Sequence, residues 1–186
     1  ASIHTYEDLI KKQNEYCKHI ENENKYNKIL FGVKDPVLAG FLYNKVLVGA
    51  EKGIEVLFKV IVYSTKIDCI SIFDLNEIIG ILLDNAYEET TFRSDDNKKV
   101  YFDVEENPNE LMIGVGNLCE YKTREQIIEM FQSDNTTKGS NRGLGLAKIK
   151  DYQENYGFDI MVENKQINNQ NWIYFKIVIL KETAII

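Results

Sequence analysis

The chain has 186 residues, 44% hydrophobic and 27% charged, with 29 acidic against 22 basic side chains and a formal net charge of -7. That size suits one good-sized domain plus an appendage, and the acidic surplus argues against non-specific nucleic-acid binding, which needs a basic surface. No apolar run approaches the roughly 18 residues of a membrane span, the opening ASIHTYEDLI lacks the basic start and apolar middle of a secretory signal, and Cys17, Cys69 and Cys119 form neither a CxxC pair nor an even disulfide set.

Residues 5–31 read as a long helix. Leu9, Ile10, Gln13, Tyr16, Cys17, Ile20, Tyr26, Ile29 and Leu30 recur mostly at threes and fours, near a heptad seam that lapses at Asn22, Asn24 and Asn27. FGVKDP breaks it. Asp35 as N-cap and Pro36 as first helical residue then open a second helix, 36–51, with more apolar surface than a lone amphipathic helix needs. An antiparallel hairpin results. Its surplus face can be buried in a dimer through residues 5–51, as a four-helix bundle, or against the domain that follows.

After EKG the pattern changes. EVLFKVIVYS (55–64) reads as a strand and FDLNEIIGILLDNAYEET as a helix, with Asp74 and Glu77 spaced as a capping box. KKVYFDVEE and ELMIGVGN read as a hairpin, and TREQIIEMF as a short helix. QSDNTTKGSNR is a polar loop, and GLGLAKIKDYQENY a helix that Gly157 stops. FDIMVEN and WIYFKIVIL read as strands joined by the polar KQINNQN. Strands and helices in this order, with antiparallel hairpins dominating, predict an α+β two-layer sandwich over 53–186, preceded by part of a helical hairpin over 1–52.

Two stretches carry candidate chemistry. LLDNAYEE places Asp84, Asn85, Glu88 and Glu89 on about one turn of helix. Oxygen donors of this kind suit Mg²⁺, which keeps waters and phosphate oxygens as its other ligands; the alternative is a solvated helix face. KGSNRGLGLAKI places Lys138, Gly139, Arg142, Gly143 and Gly145 ahead of a helix. It is neither a Walker A loop nor a dinucleotide fingerprint. Free main-chain N–H groups at the helix start and two nearby cations can receive an anion; the alternative is an ordinary flexible loop. The polar loop between is long enough to act as a lid.

In this order, NEIIGILLDNAYEE…IGVGN…MFQSDNTTKGSNRGLGLAKI resembles the ATP-binding (GHKL, Bergerat-fold) domain shared by sensor histidine kinases, DNA gyrase, a heat-shock chaperone and a mismatch-repair ATPase, over about residues 36–180. Within that group it looks like the histidine kinases of peptide quorum sensing, the accessory-gene-regulator type. LLDNAYEE is similar to the N box and TTKGSNRGLGL to the G2 box, with Phe131 at the F-box aromatic.

The resemblance implies ATP between the N-box helix and the lid, with Mg²⁺ carried by Asn85. It implies triphosphate contacts from Lys138, Gly139, Arg142, Gly143, Leu144 and Gly145. Asn117 stands where most relatives have an aspartate that reads the adenine amino group, and VGNLCE lacks the DxGxG glycines. Asn offers a neutral carbonyl acceptor for the same bond, though its amide also donates. Ile81 replaces the general-base Glu of gyrase-type ATPases, which argues against steady hydrolysis, and Glu88 replaces a lysine common in histidine kinases.

By the same resemblance, the phosphoacceptor histidine precedes residue 1. His4 and His19 lack the acidic or amide residue that follows the family acceptor, with His4 an outside candidate. The chain is then a fragment from the cytoplasmic portion of a bacterial membrane-bound sensor, tied to the membrane only through a missing N-terminal region. A response-regulator receiver domain is its partner, and it dimerises through 5–51. The alternative function is a dimerisation and signalling module with a degraded nucleotide site.

Overall fold

The computed structural model describes residues 27–29, 32–64, 67–93, 97–131 and 144–181. The helix expected over 5–31 lies outside the described residues except at 27–29, and His4, Cys17 and His19 lie outside them altogether.

Asp35 caps α1 (Pro36–Glu51) as expected, its Oδ1 accepting from the Val37 and Leu38 N–H groups at 2.9 and 3.0 Å. α1 buries Leu38, Leu42 and Val46 and packs on the elements that follow it, β1 (Glu55–Ile61) and α2 (Ile72–Thr91). Just before α1, Val33 bridges to Val62 in parallel, which ties this segment to the edge of the sheet.

β1 ends at Ile61 rather than running on to residue 64, because Tyr63 and Ser64 turn their N–H groups to the Glu106 carboxylate instead. α2 then carries the chain back so that β2 (Lys99–Glu106) lies parallel to β1. β3 (Glu110–Leu118), α3 (Arg124–Glu129), α4 (Leu144–Tyr156), β4 (Asp159–Ile167) and β5 (Gln170–Leu180) complete a five-stranded sheet of order β1-β2-β3-β5-β4 among the described residues. All pairings after the first are antiparallel.

Alternation along the strands sets the layers. Val100, Phe102 and Val104 of β2, Leu111, Ile113 and Val115 of β3, and Ile173, Phe175 and Ile177 of β5 point to one face, where they meet Leu75, Ile79, Leu82 and Leu83 of α2. α4 lies along α2 and adds Leu146 and Ile149. This is the expected two-layer α+β sandwich.

Two local expectations change. KQINNQN is not a loop: the β4–β5 ladder continues through Lys165↔Trp172 to Ile167↔Gln170. The turn is only Asn168 and Asn169, whose φ of 52° and 61° lie in the left-handed region that two-residue hairpins use and that Asn tolerates. Nor do Asp74 and Glu77 form a capping box. The N-cap of α2 is Ser71, without a side-chain cap bond, and both carboxylates are engaged by α4.

Candidate functional site

α2 runs from the Glu106 end of the sheet, where β1 stops, to the end where β2 begins. Asn85 lies in its second half, half-buried beside the core residues Leu82, Leu83 and Ala86. The polar cluster expected around it is thinner than the sequence implies. Asp84 is drawn to α1, where Lys45 Nζ donates to both its oxygens at 2.7 Å, and Glu89 is exposed. Among the described residues no group of three or more His, Cys, Asp or Glu side chains is placed to hold a metal. A single Asn oxygen is a fitting donor only for an ion that arrives with phosphate oxygens and water as its other ligands.

α4 is clasped antiparallel to α2. Lys148 Nζ and Tyr152 Oη both donate to the Glu77 carboxylate, and Tyr156 Oη donates to Asp74 and accepts from the Ser71 N–H at 3.4 Å. These α4 residues recur every four positions, one helical face. The bonds from Lys148 and then Tyr152 hold the Glu77 carboxyl below its ordinary range, and the Glu77 bond raises the Tyr152 phenol. The clasp brings the first turn of α4 onto the second half of α2. A Cβ added at Gly145 would come within 3.0 Å of Ile81 Cγ2 and 4.0 Å of Asn85 Nδ2. Only a glycine allows so close an approach without displacing Ile81. Asn85 and the start of α4 are therefore side by side.

Asn117 is near the end of β3 on the helix-covered face, 4% exposed, between Val100 and Ile173. Its Nδ2 donates to the Leu118 carbonyl at 3.2 Å, which leaves Oδ1 as the acceptor of the amide. Arg93 Nη1 donates to the same carbonyl at 3.2 Å, joining the chain just past α2 to this end of the sheet.

Phe131 sits 6.2 Å from Phe175 between ring centroids, with Lys150 Nζ 5.7 Å over its own ring, so the chain is anchored just past α3. Lys138, Gly139, Arg142 and Gly143 lie outside the described residues, as does the side chain of Leu144.

Sequence reasoning missed Arg93 and Asn164. Asn164 follows Ile160 and Val162 at the period of the covered face of β4, so a polar residue at an inward position was the available signal.

A family model described as the GHKL domain matches residues 70–180, a span that holds Asn85, Asn117 and Gly145. The chain belongs to the GHKL-domain family. The probable C4-dicarboxylate sensor kinase of Halalkalibacterium halodurans is 30% identical over 172 residues, covering 88% of this chain and 32% of that protein. Sensor protein CitS of Bacillus subtilis is 28% identical over 160 residues, covering 86% of this chain and 28% of that one. The chain thus spans about a third of the length of the curated relatives it matches.

Among solved structures, the catalytic domain of histidine kinase ThkA superposes with a TM-score of 0.55 at 21% identity, over 75% of this chain and 91% of that one. The mycobacterial sensor histidine kinase MprB gives 0.54 at 15% identity, over 77% and 91%. These structural matches share the two-layer fold.

Proposed function

We propose that this chain is the ATP-binding catalytic region of a two-component sensor histidine kinase, serving transfer of the γ-phosphoryl group to a histidine upstream and thence to an aspartate of a response-regulator receiver domain. The observation that supports it most is the close approach of Gly145, at the start of α4, to the Asn85 side chain, whose Nδ2 is the atom nearest the glycine and whose carbonyl oxygen is a hard donor. Bound Mg²⁺-ATP supplies the phosphoryl group and the metal charge that steadies it.

In this reading Asn85 offers its carbonyl oxygen to the metal. The main chain at Gly139, Gly143, Leu144 and Gly145 donates N–H groups to phosphate oxygens. Lys138 and Arg142 neutralise the oxygens that the metal does not. Asn117 Oδ1 accepts from the adenine amino group. Ile81, packed on Gly145, cannot activate water as a carboxylate would, which favours a histidine acceptor over hydrolysis.

The region 1–52 is proposed as the end of a dimerisation hairpin joined to the catalytic domain 53–186. No described helix is long and apolar enough to cross a membrane; in this reading, which rests on the resemblance to bacterial sensor kinases, the contact with the membrane is made upstream. The order and wording of the boxes from NEIIGILLDNAYEE to GLGLAKI carry the resemblance to the accessory-gene-regulator, peptide-sensing subtype, whereas one curated relative is named a probable C4-dicarboxylate sensor kinase.

Calorimetric titration with Mg²⁺-ATP tests the reading. Saturable binding that Asn85→Ala removes, with autophosphorylation lost by about 1000-fold in the full-length kinase, is expected where metal and phosphate positioning carry the transfer. No heat at millimolar nucleotide would favour the degraded signalling module.

A further inference from the structure

The family's glycine turn after the base-reading position is missing here, and Asn117 is followed by Leu118, Cys119, Glu120, Tyr121 and Lys122. Something else must fix the path of that segment. Asn117, Ile173 and Asn164 lie in one row across β3, β5 and β4, on the face that the helices cover. Adjacent strands are about 4.8 Å apart, so the two asparagines stand roughly 10 Å from each other with Ile173 between them.

The segment is held at both ends of this row. The Cys119 N–H donates to the Asn171 carbonyl at 3.0 Å, which extends the β3–β5 ladder by one bond. Asn164 then grips Lys122 in both directions: its Oδ1 accepts the Lys122 N–H at 3.0 Å and its Nδ2 donates to the Lys122 carbonyl at 2.8 Å. Asn171 Nδ2 braces the same Oδ1 at 3.0 Å. A planar amide satisfying both the N–H and the C=O of one residue imitates a β-ladder pair where no strand exists. That accounts for an asparagine at an inward-facing position otherwise suited to an apolar residue.

We propose that Asn164 is a positioning residue for the base end of the site: by clamping Lys122 it sets where residues 118–122 pass beside Asn117, replacing the absent glycine turn. This rests on the nucleotide reading above. Asn164 touches no nucleotide in this account; it acts through the segment and so governs which base Asn117 accepts. An adenine amino group can donate to Asn117 Oδ1, whereas the guanine carbonyl at the equivalent position cannot.

The test is competition of ATP and GTP against a fluorescent ATP analogue on this chain, with melting temperature followed in parallel. Wild type should prefer ATP. Asn164→Ala should weaken ATP about tenfold while GTP stays within about twofold, the loss expected for one misplaced hydrogen bond. Asn164→Asp, which keeps the acceptor but loses the donor to the Lys122 carbonyl, should fall between and carries the same comparison if the alanine variant melts early. Equal weakening of both nucleotides, or unchanged ATP affinity, would overturn the clamp alone. A wild-type chain that binds neither nucleotide would overturn the nucleotide reading and the clamp with it.

Discussion

At one end of the sheet the Glu106 carboxylate meets four donors: the Tyr63 and Ser64 N–H groups at 2.6 and 2.7 Å, the Ser64 hydroxyl and the Lys181 ammonium. Burial opposes its ionisation, yet the bonds from Lys181 and Ser64 outweigh that and hold its carboxyl at about 2. At the other end, Asn85 faces a bare glycine and Asn117 keeps a carbonyl oxygen beyond the one bond its amide donates. One end uses its polar groups to close the fold. The other holds the two asparagines proposed above to meet the nucleotide. The α2–α4 clasp at Asp74 and Glu77 links the two, because it sets how α4 lies along α2.

Substitutions at the two ends should therefore separate binding from stability. The largest effect is expected at Gly145. Gly145→Val forces Ile81 aside and moves the start of α4, and a misplacement on the order of 1 Å costs about 100-fold in phosphotransfer. Adding Ile81→Ala should restore part of that loss, measured as autophosphorylation in the full-length protein.

Glu106→Gln should lower stability by about 2 kcal/mol at neutral pH, since bonds to a charged, buried acceptor are lost. Nucleotide affinity per folded molecule should not change, which denaturant unfolding and calorimetry on the same sample would check. The pH dependence follows from the same group. Its folded value is depressed from the ordinary 4.5 to about 2. Its contribution is therefore complete above pH 4.5 and lost as pH falls towards 2, and the unfolding curve of Glu106→Gln should be flatter in that window.

The smallest effect is expected at the link. Tyr152→Phe removes one hydrogen bond to Glu77 and should cost about 1 kcal/mol in chemical denaturation.

The sequence was most legible where the structure is local. Asp35 and Pro36 announce α1 within two adjacent residues, and Gly157, with φ of 66°, stops α4 where expected. The covered face of the sheet follows from strict alternation. What stayed hidden depends on partners distant in the chain. Asp74 and Glu77 have the spacing of a cap, yet their partners are tyrosines and a lysine more than seventy residues away. KQINNQN looks like a loop because the ends of both strands are polar and exposed there. Of the proposed site, Asn85, Asn117 and Gly145 were picked out as motif positions, and only the packing of Ile81 on Gly145 shows why a glycine stands there. Asn164 escaped because its partner is the main chain of a single residue, Lys122, forty-two positions earlier.

The most direct measurement is the change in main-chain amide chemical shifts of this chain on adding Mg²⁺-ATP. The account predicts saturable shifts centred on Asn85, Asn117 and Gly145, with the amides around Ser64, Glu106 and Lys181 nearly unmoved. Shifts centred on the Glu106 end, or none at any nucleotide concentration, would contradict it.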